Sequence, residues 1–201
     1  MKKKSIKLHT IHNQCIFHLD GDNATLPSTI KTAAKLNVPL ENLYLHNSSL
    51  ANETYKDITF RNACFESVNF DNAKFNNVTF INCYMQHCSF TMANFTDCSF
   101  LQCDLTEITG SSTNFTQTEI VGCIMDKITF DSVSFNNCSL DNSTMLFGTM
   151  QQCNIKNSTL NRTEIVKSNL GFSLFEKCQM IGALLQCNEM KSTKFELCKM
   201  K

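Results

Sequence analysis

The sequence predicts an all-β fold, a solenoid closed at its N-terminus by a small α/β cap, and three observations carry that reading. From Leu45 to Met200 every fifth residue is large and apolar: of 32 such positions, 31 hold Phe, Leu, Ile, Met or Tyr, and only Gly110 departs. With 42% of the chain hydrophobic, unbroken placement of this kind has a chance probability on the order of 10⁻¹². Second, the position two residues before the large one is small or β-branched in all units but those with Leu43, Glu53 and Asn188, as in Ala63, Val68, Ala73, Val78 and Cys83. Third, neither the helical period of about 3.6 nor the strand period of about 2 divides five, so both would drift off this register. A path that turns one corner per five residues keeps both the small and the large side chain inside.

The elements follow in chain order. One repeat over about four fifths of the 201 residues argues for a single continuous body. Residues 1–39 form an N-terminal cap and residues 40–201 the solenoid. Within the cap, Ser5 to Ile11 and Gln14 to Leu19 read as two short strands joined near His12 and Asn13. Pro27 to Leu36 reads as a helix that ends before Pro39, with Thr25 as its N-cap. The opening Met1-Lys2-Lys3-Lys4 looks like the start of a secretory leader, but the following IKLHTIHNQCIF is broken by Lys, His, Asn and Gln. Neither a signal peptide nor a membrane span is expected.

Set on its own period, the body reads ITF, RNACF, ESVNF, DNAKF, NNVTF, then INCYM, QHCSF, TMANF and TDCSF. These units resemble the pentapeptide-repeat family, whose consensus is A(D/N)Lxx and whose variants include xNCxF and xNAxF. The resemblance covers residues 45 to 200 and reaches back to Leu40. It implies a right-handed quadrilateral β-helix with four pentapeptides per coil and with the large and small residues pointing inward. Function within the family is diverse, so fold carries over more firmly than activity.

Four units per coil stack residues twenty apart at a strand spacing of roughly 4.8 Å, and the 32 units then make eight coils. One inner ladder becomes Tyr55, Phe75, Phe95, Phe115, Phe135, Ile155, Phe175 and Phe195. Nine of the twelve cysteines fall in the small inner slot, where thiols act as small hydrophobes suited to a reducing cytosol. Cys83, Cys103 and Cys123 stack in consecutive coils. Their spacing exceeds the roughly 3.8 Å between Cβ atoms that a disulfide prefers, and no CxxC or paired His completes a zinc site. Gly110, where an inward Phe or Leu belongs, predicts a local bulge, cavity or water-filled step.

An open β-helix end exposes backbone groups and core side chains, so both ends need covers. The cap supplies one. At the other end the repeat runs to Met200, leaving Leu185, Met190, Phe195 and Met200 to line a terminal coil with nothing beyond it in this sequence. C-terminal pairing makes homodimers in several proteins of the resembled family, and a homodimer through this coil is expected here.

Charge is zero overall but uneven: residues 40–155 carry four Lys or Arg against twelve Asp or Glu, and no Lys or Arg lies between Phe75 and Asp126. In the quinolone-resistance members of the family an acidic rod mimics DNA on type II topoisomerase (gyrase), which the resemblance offers as an alternative function. The acids here scatter over all four sides of the coil, and no loop insertion accompanies them. A second surface feature is Ile81, Leu101 and Val121, which follow the large residue in three consecutive coils where polar residues are usual. Tyr84 and Ile124 project from the adjoining side, so these five residues mark a candidate partner surface.

Enzyme signatures are absent: the five histidines (His9, His12, His18, His46, His87) form no metal spacing, and no phosphate loop or catalytic triad has support. Asn94, Asn114 and Asn154 read as a surface hydrogen-bond ladder. The sequence thus predicts a non-enzymatic interaction scaffold without cofactor, metal or nucleic-acid ligand, bacterial and cytoplasmic, with a secreted bacterial effector as a further alternative.

Overall fold

A computed structural model describes residues 4–200. Ser5–His9 (β1) and Cys15–Asp20 (β2) pair antiparallel with an irregularity at Leu8 and His9. Asn13, at φ 59°, helps reverse the chain, a left-handed conformation that its short polar side chain tolerates. Leu26–Lys35 (α1) follows. Thr25 caps it: its hydroxyl accepts from the Ser28 amide at 3.2 Å, while the Ser28 hydroxyl accepts from the Thr25 amide at 2.9 Å. Two donors of the first turn are thereby satisfied reciprocally, and Pro27 lacks an amide where none is needed. Leu8, Ile30 and Ala33 share one core with Leu40, Leu43 and Leu45. A bridge from Thr10 to Leu43 and an ion pair from Lys31 to Glu53 at 2.7 Å tie the cap to the first coil.

From Leu40, which pairs with Phe60, the chain winds as a four-sided all-β coil of about eight turns. Neighbouring strands are parallel and pair residues twenty apart, as in Phe75, Phe95, Phe115 and Phe135. Each side holds three residues, small, outward and large, and two more turn the corner. The expected aromatic ladder is present, with ring centroids 5.1 Å apart from Tyr55 to Phe75, 4.8 Å from Phe75 to Phe95 and 4.9 Å at the next two steps. Phe95 also meets Phe100 on the adjoining side edge-on at 5.3 Å and 68°. Stacked and edge contacts of this kind add to the area each ring buries.

The small inner slot proves to be more than a space limit. Its side chain faces the carbonyl 23 residues earlier: Thr113 donates to Phe90 at 2.7 Å, Ser143 to Ile120 at 2.9 Å and Cys103 to Phe80 at 3.4 Å. A small residue carrying O–H or S–H therefore fits best, which explains why Ser, Thr and Cys interchange there. Burial pushes the Cys88 and Cys153 thiols up to about 12, so they remain protonated donors. Contact with Cys103, reinforced by burial, likewise raises Cys83 and Cys123.

The second corner residue carries a backbone demand that the sequence reading did not foresee. At all 32 positions from Asn42 to Leu197 in steps of five, φ is positive. Between Asn42 and Asn82 the slot holds Asn or Asp at every position but Ser67, residues that enter the left-handed region most readily. From His87 on it also holds residues that enter this region at a cost, among them Met92, Gln102, Lys127, Phe147, Gln152, Lys167, Phe172 and Leu197, so backbone strain is spread over the coils beyond Asn82. Gln152, at φ 55° and exposed, offers a direct check. Gln152→Asn should raise stability by about 0.5–1 kcal/mol, read as a higher urea midpoint with an unchanged slope.

Gly110 differs from expectation. Thr109–Ser111 is a regular strand paired in register with Thr129–Asp131, without a bulge. Phe130, one coil on, occupies the room: its ring atoms lie 3.3 Å from where a Gly110 Cβ would stand. The ring is tilted 39° to Phe115 and 42° to Phe135, whereas Phe95 and Phe100 sit at 68°. One oversized neighbour has leaned into the missing side chain's place.

Candidate interaction surfaces

Two surfaces stand out on the coil. On one side, the outward positions Cys64, Tyr84, Asp104 and Ile124 form a column, linked by parallel bridges from one coil to the next. Tyr84 is 59% and Ile124 46% exposed, large values for apolar side chains on an ordered strand. The cap contributes a third such residue: Ile11, at the tip of the β1–β2 hairpin, is 60% exposed. Together these side chains line a groove of about 940 Å³ whose rim carries the carboxylates of Glu66 and Asp104.

Ile81, Leu101 and Val121 stack in register as expected from the period. They are half-buried along the corner beside this groove rather than lining it. The left-handed corner residues Asn82, Gln102 and Gly122 separate them from the Tyr84 and Ile124 column. Ile11 escaped sequence reasoning because nothing in the repeat refers to it; its one signal was an isolated apolar residue within the polar turn Thr10 to Gln14.

The other surface is the C-terminal end. Inner residues of the preceding coils are almost wholly buried, Leu170, Phe175 and Met180 among them. In the last coil Met190 is 43% and Met200 47% exposed, and Leu185 and Phe195 are half-buried. Met180, Ala183, Leu184, Leu185 and Met200 line a depression of about 340 Å³ there. The ladder pattern adds polar groups. In each coil the amide of the large residue donates to the next coil, as Phe65 does to Tyr84 and Leu170 to Glu189. Among the described residues the amides of Leu185, Met190 and Phe195 have no such ladder partner.

Among the described residues no group of three or more His, Cys, Asp or Glu side chains is placed to hold a metal, and no helix is long and apolar enough to cross a membrane. Cys15 and Cys187 are exposed free thiols, distant in sequence and in register. Acidic side chains are spread around the coil and engaged locally: Glu66 with His46 at 3.2 Å, Glu107 with Lys127 at 3.1 Å, Glu176 with Lys156 at 3.1 Å. Asn114 donates to Asn94 at 3.2 Å and accepts from Ser134 at 2.6 Å, the surface ladder that the repeat predicted up to that point.

The family model for the pentapeptide repeat region matches residues 53–130, within the span where the five-residue register and the four-sided coil coincide. Residues 53–130 form a pentapeptide repeat region. No curated protein sequence matches it detectably. Among solved structures it is similar to a trypsin-treated form of QnrB1, a plasmid-mediated fluoroquinolone resistance protein, at 16% identity and a TM-score of 0.46, over 74% of this chain and 91% of that one. It is also similar to HetL, a pentapeptide repeat protein involved in heterocyst differentiation regulation from the cyanobacterium Nostoc sp. strain PCC 7120. That match has 11% identity and a TM-score of 0.37, over 83% of this chain and 93% of that one. A third is Rfr23 from the cyanobacterium Cyanothece 51142, at 13% identity and a TM-score of 0.32, over 56% of this chain and 64% of that one. Pentapeptide-repeat proteins are in general non-enzymatic.

Proposed function

We propose that this protein is a non-enzymatic interaction scaffold that pairs with a second copy through its C-terminal coil. The observation that carries this is the contrast between its ends. Helix α1 and the hairpin cover the N-terminal coil, whereas the C-terminal coil presents Leu184, Met190, Leu197 and Met200 as exposed apolar side chains. Amides without a ladder partner among the described residues lie beside them, and a second copy meeting end to end would bury both at once. The rod so formed carries its side surfaces in duplicate, a geometry suited to gathering partners rather than transforming them. The thiols of the inner slot serve as buried hydrogen-bond donors, a role that fits a reducing cytoplasm.

A DNA-like row of carboxylates has no support on this surface, because the acids lie on different sides and several pair with Lys or His. Light scattering at micromolar concentration tests the proposal. The expected mass is twice that of the 22.8 kDa chain, and Met190→Lys should return it to the single-chain mass with the coil's circular dichroism unchanged. A single-chain mass for the unaltered protein would overturn the end-to-end reading.

A further inference from the structure

The groove beneath the hairpin tip has a composition that selects its occupant, and the argument rests on the scaffold reading above. Its floor is the Cys64, Tyr84, Asp104 and Ile124 column, whose members are about 4.8 Å apart, one strand spacing per coil. Ile11 overhangs one end and Ile124 closes the other. Between them stands Tyr84, with carboxylates on either hand: Glu66, which meets His46 at 3.2 Å, in the coil above and Asp104 in the coil below. Among the described residues no Lys or Arg lines the groove, and none occurs in the sequence between Phe75 and Asp126. The Asp104 carboxylate is held in place by the Gln86 amide at 2.7 Å and the Thr106 backbone amide at 2.9 Å.

This is an aromatic face flanked by negative charge and bounded at each end by an aliphatic side chain. A guanidinium or ammonium laid over Tyr84 gains from the ring quadrupole and from both carboxylates. Apolar residues on either side of that cation would reach Ile11 and Ile124. The four coil steps from Asn42 to Gly122 span about 19 Å, which accommodates about six residues of extended chain. The outward amides Asn62, Asn82 and Gln102 along one edge offer donors and acceptors to such a backbone. We infer that the groove binds a short extended segment of a partner protein in which a basic residue, Arg above all, is flanked by aliphatic ones.

Fluorescence anisotropy with the full chain tests this, using a labelled six-residue peptide Leu-Ser-Arg-Ser-Leu-Ser, which sets Leu and Arg on one face of an extended chain, and a Leu and Glu control with Glu in place of Arg. The Leu and Arg peptide should bind with an affinity that weakens as salt rises, and the Leu and Glu peptide should not bind. Tyr84→Ala, Asp104→Asn and Ile124→Lys should each weaken binding by about tenfold. Arg162→Ala, at the same corner position two coils beyond Gly122 and outside the groove, should leave it unchanged. Equal affinity for the two peptides, no binding of either, or indifference to Tyr84→Ala would overturn the proposal. Mass is measured on the same samples. A two-chain mass without peptide binding removes the groove assignment alone, and a single-chain mass with binding removes the end-to-end assignment alone. If Ile124→Lys instead halves the mass, the groove is filled by a second copy and the peptide assignment falls.

Discussion

Phe95→Ala should destabilise the protein by about 3–5 kcal/mol, the range for removing a fully buried Phe from a core that cannot collapse around the gap. Phe95 is stacked between Phe75 at 4.8 Å and Phe115 at 4.9 Å, and Phe90 and Phe100 meet it from the adjoining sides at 5.1 and 5.3 Å. Their backbones are held in parallel register, so only a tilt of a ring, as at Phe130, could narrow the gap, and a tilt fills it in part. Because each coil contacts only its neighbours, the loss should fall on a nearest-neighbour interface and divide the rod. Urea unfolding followed by circular dichroism should show a lowered midpoint and an earlier partial transition. A Phe95→Leu variant, which retains much of the volume, should recover most of the loss. If Phe95→Ala leaves the midpoint unaltered, the aromatic ladder is not what holds the coils together.

The second large effect concerns the one broken position of the period. Gly110→Phe restores the repeat consensus, and from sequence it reads as an improvement. The structure predicts the opposite. Even a Cβ there would stand 2.9 Å from the Thr113 hydroxyl and 3.3 Å from the Phe130 ring, and that hydroxyl is bound to the Phe90 carbonyl at 2.7 Å. Overpacking should cost about 1–3 kcal/mol or more. Phe130→Ala alone should cost about 3–5 kcal/mol by opening a cavity. Gly110→Phe combined with Phe130→Ala should be more stable than the sum of the two losses implies, because each change makes room for the other. Additive losses in thermal or urea unfolding would show that Phe130 does not occupy the Gly110 space.

What the sequence disclosed depended on whether a physical demand recurred with little tolerance. Phe75, Phe95 and Phe115 must fill the interior and only large apolar residues do so, which made the five-residue period legible, whereas the twenty-residue register came with the family resemblance. Thr25 and Pro27 announced the start of α1 because helix N-termini admit few residue types. The corner demand recurs just as regularly, yet Phe147, Lys167 and Leu197 stand where Asn42 and Asn62 set the pattern. Positive φ costs about 1–2 kcal/mol at most residues, an amount a well-packed coil tolerates, so selection for Asn is weak and the signal blurs. The hydrogen bond from Cys103 to the Phe80 carbonyl was hidden for another reason: cysteine satisfies a small apolar slot and a donor slot alike. The groove was illegible because Ile11 and Tyr84 are brought together only by the way the hairpin folds back over the first coils. Gly110 was legible as an exception, but its remedy lay twenty residues away in the tilt of Phe130.

Four units to a coil also give the chain a grammar for changes in length. Removing five residues would leave every remaining large side chain facing inward, so the rod would still fold. Everything downstream would nevertheless be turned by one corner, and the Cys64, Tyr84 and Ile124 column would no longer lie along one line. Removing twenty would shorten the rod by about 4.8 Å and return each side to its place. Fold and surface thus answer to different units of inheritance, the interior to one repeat and the exterior to four, so a lineage could lengthen such a rod without losing its recognition faces only by whole coils.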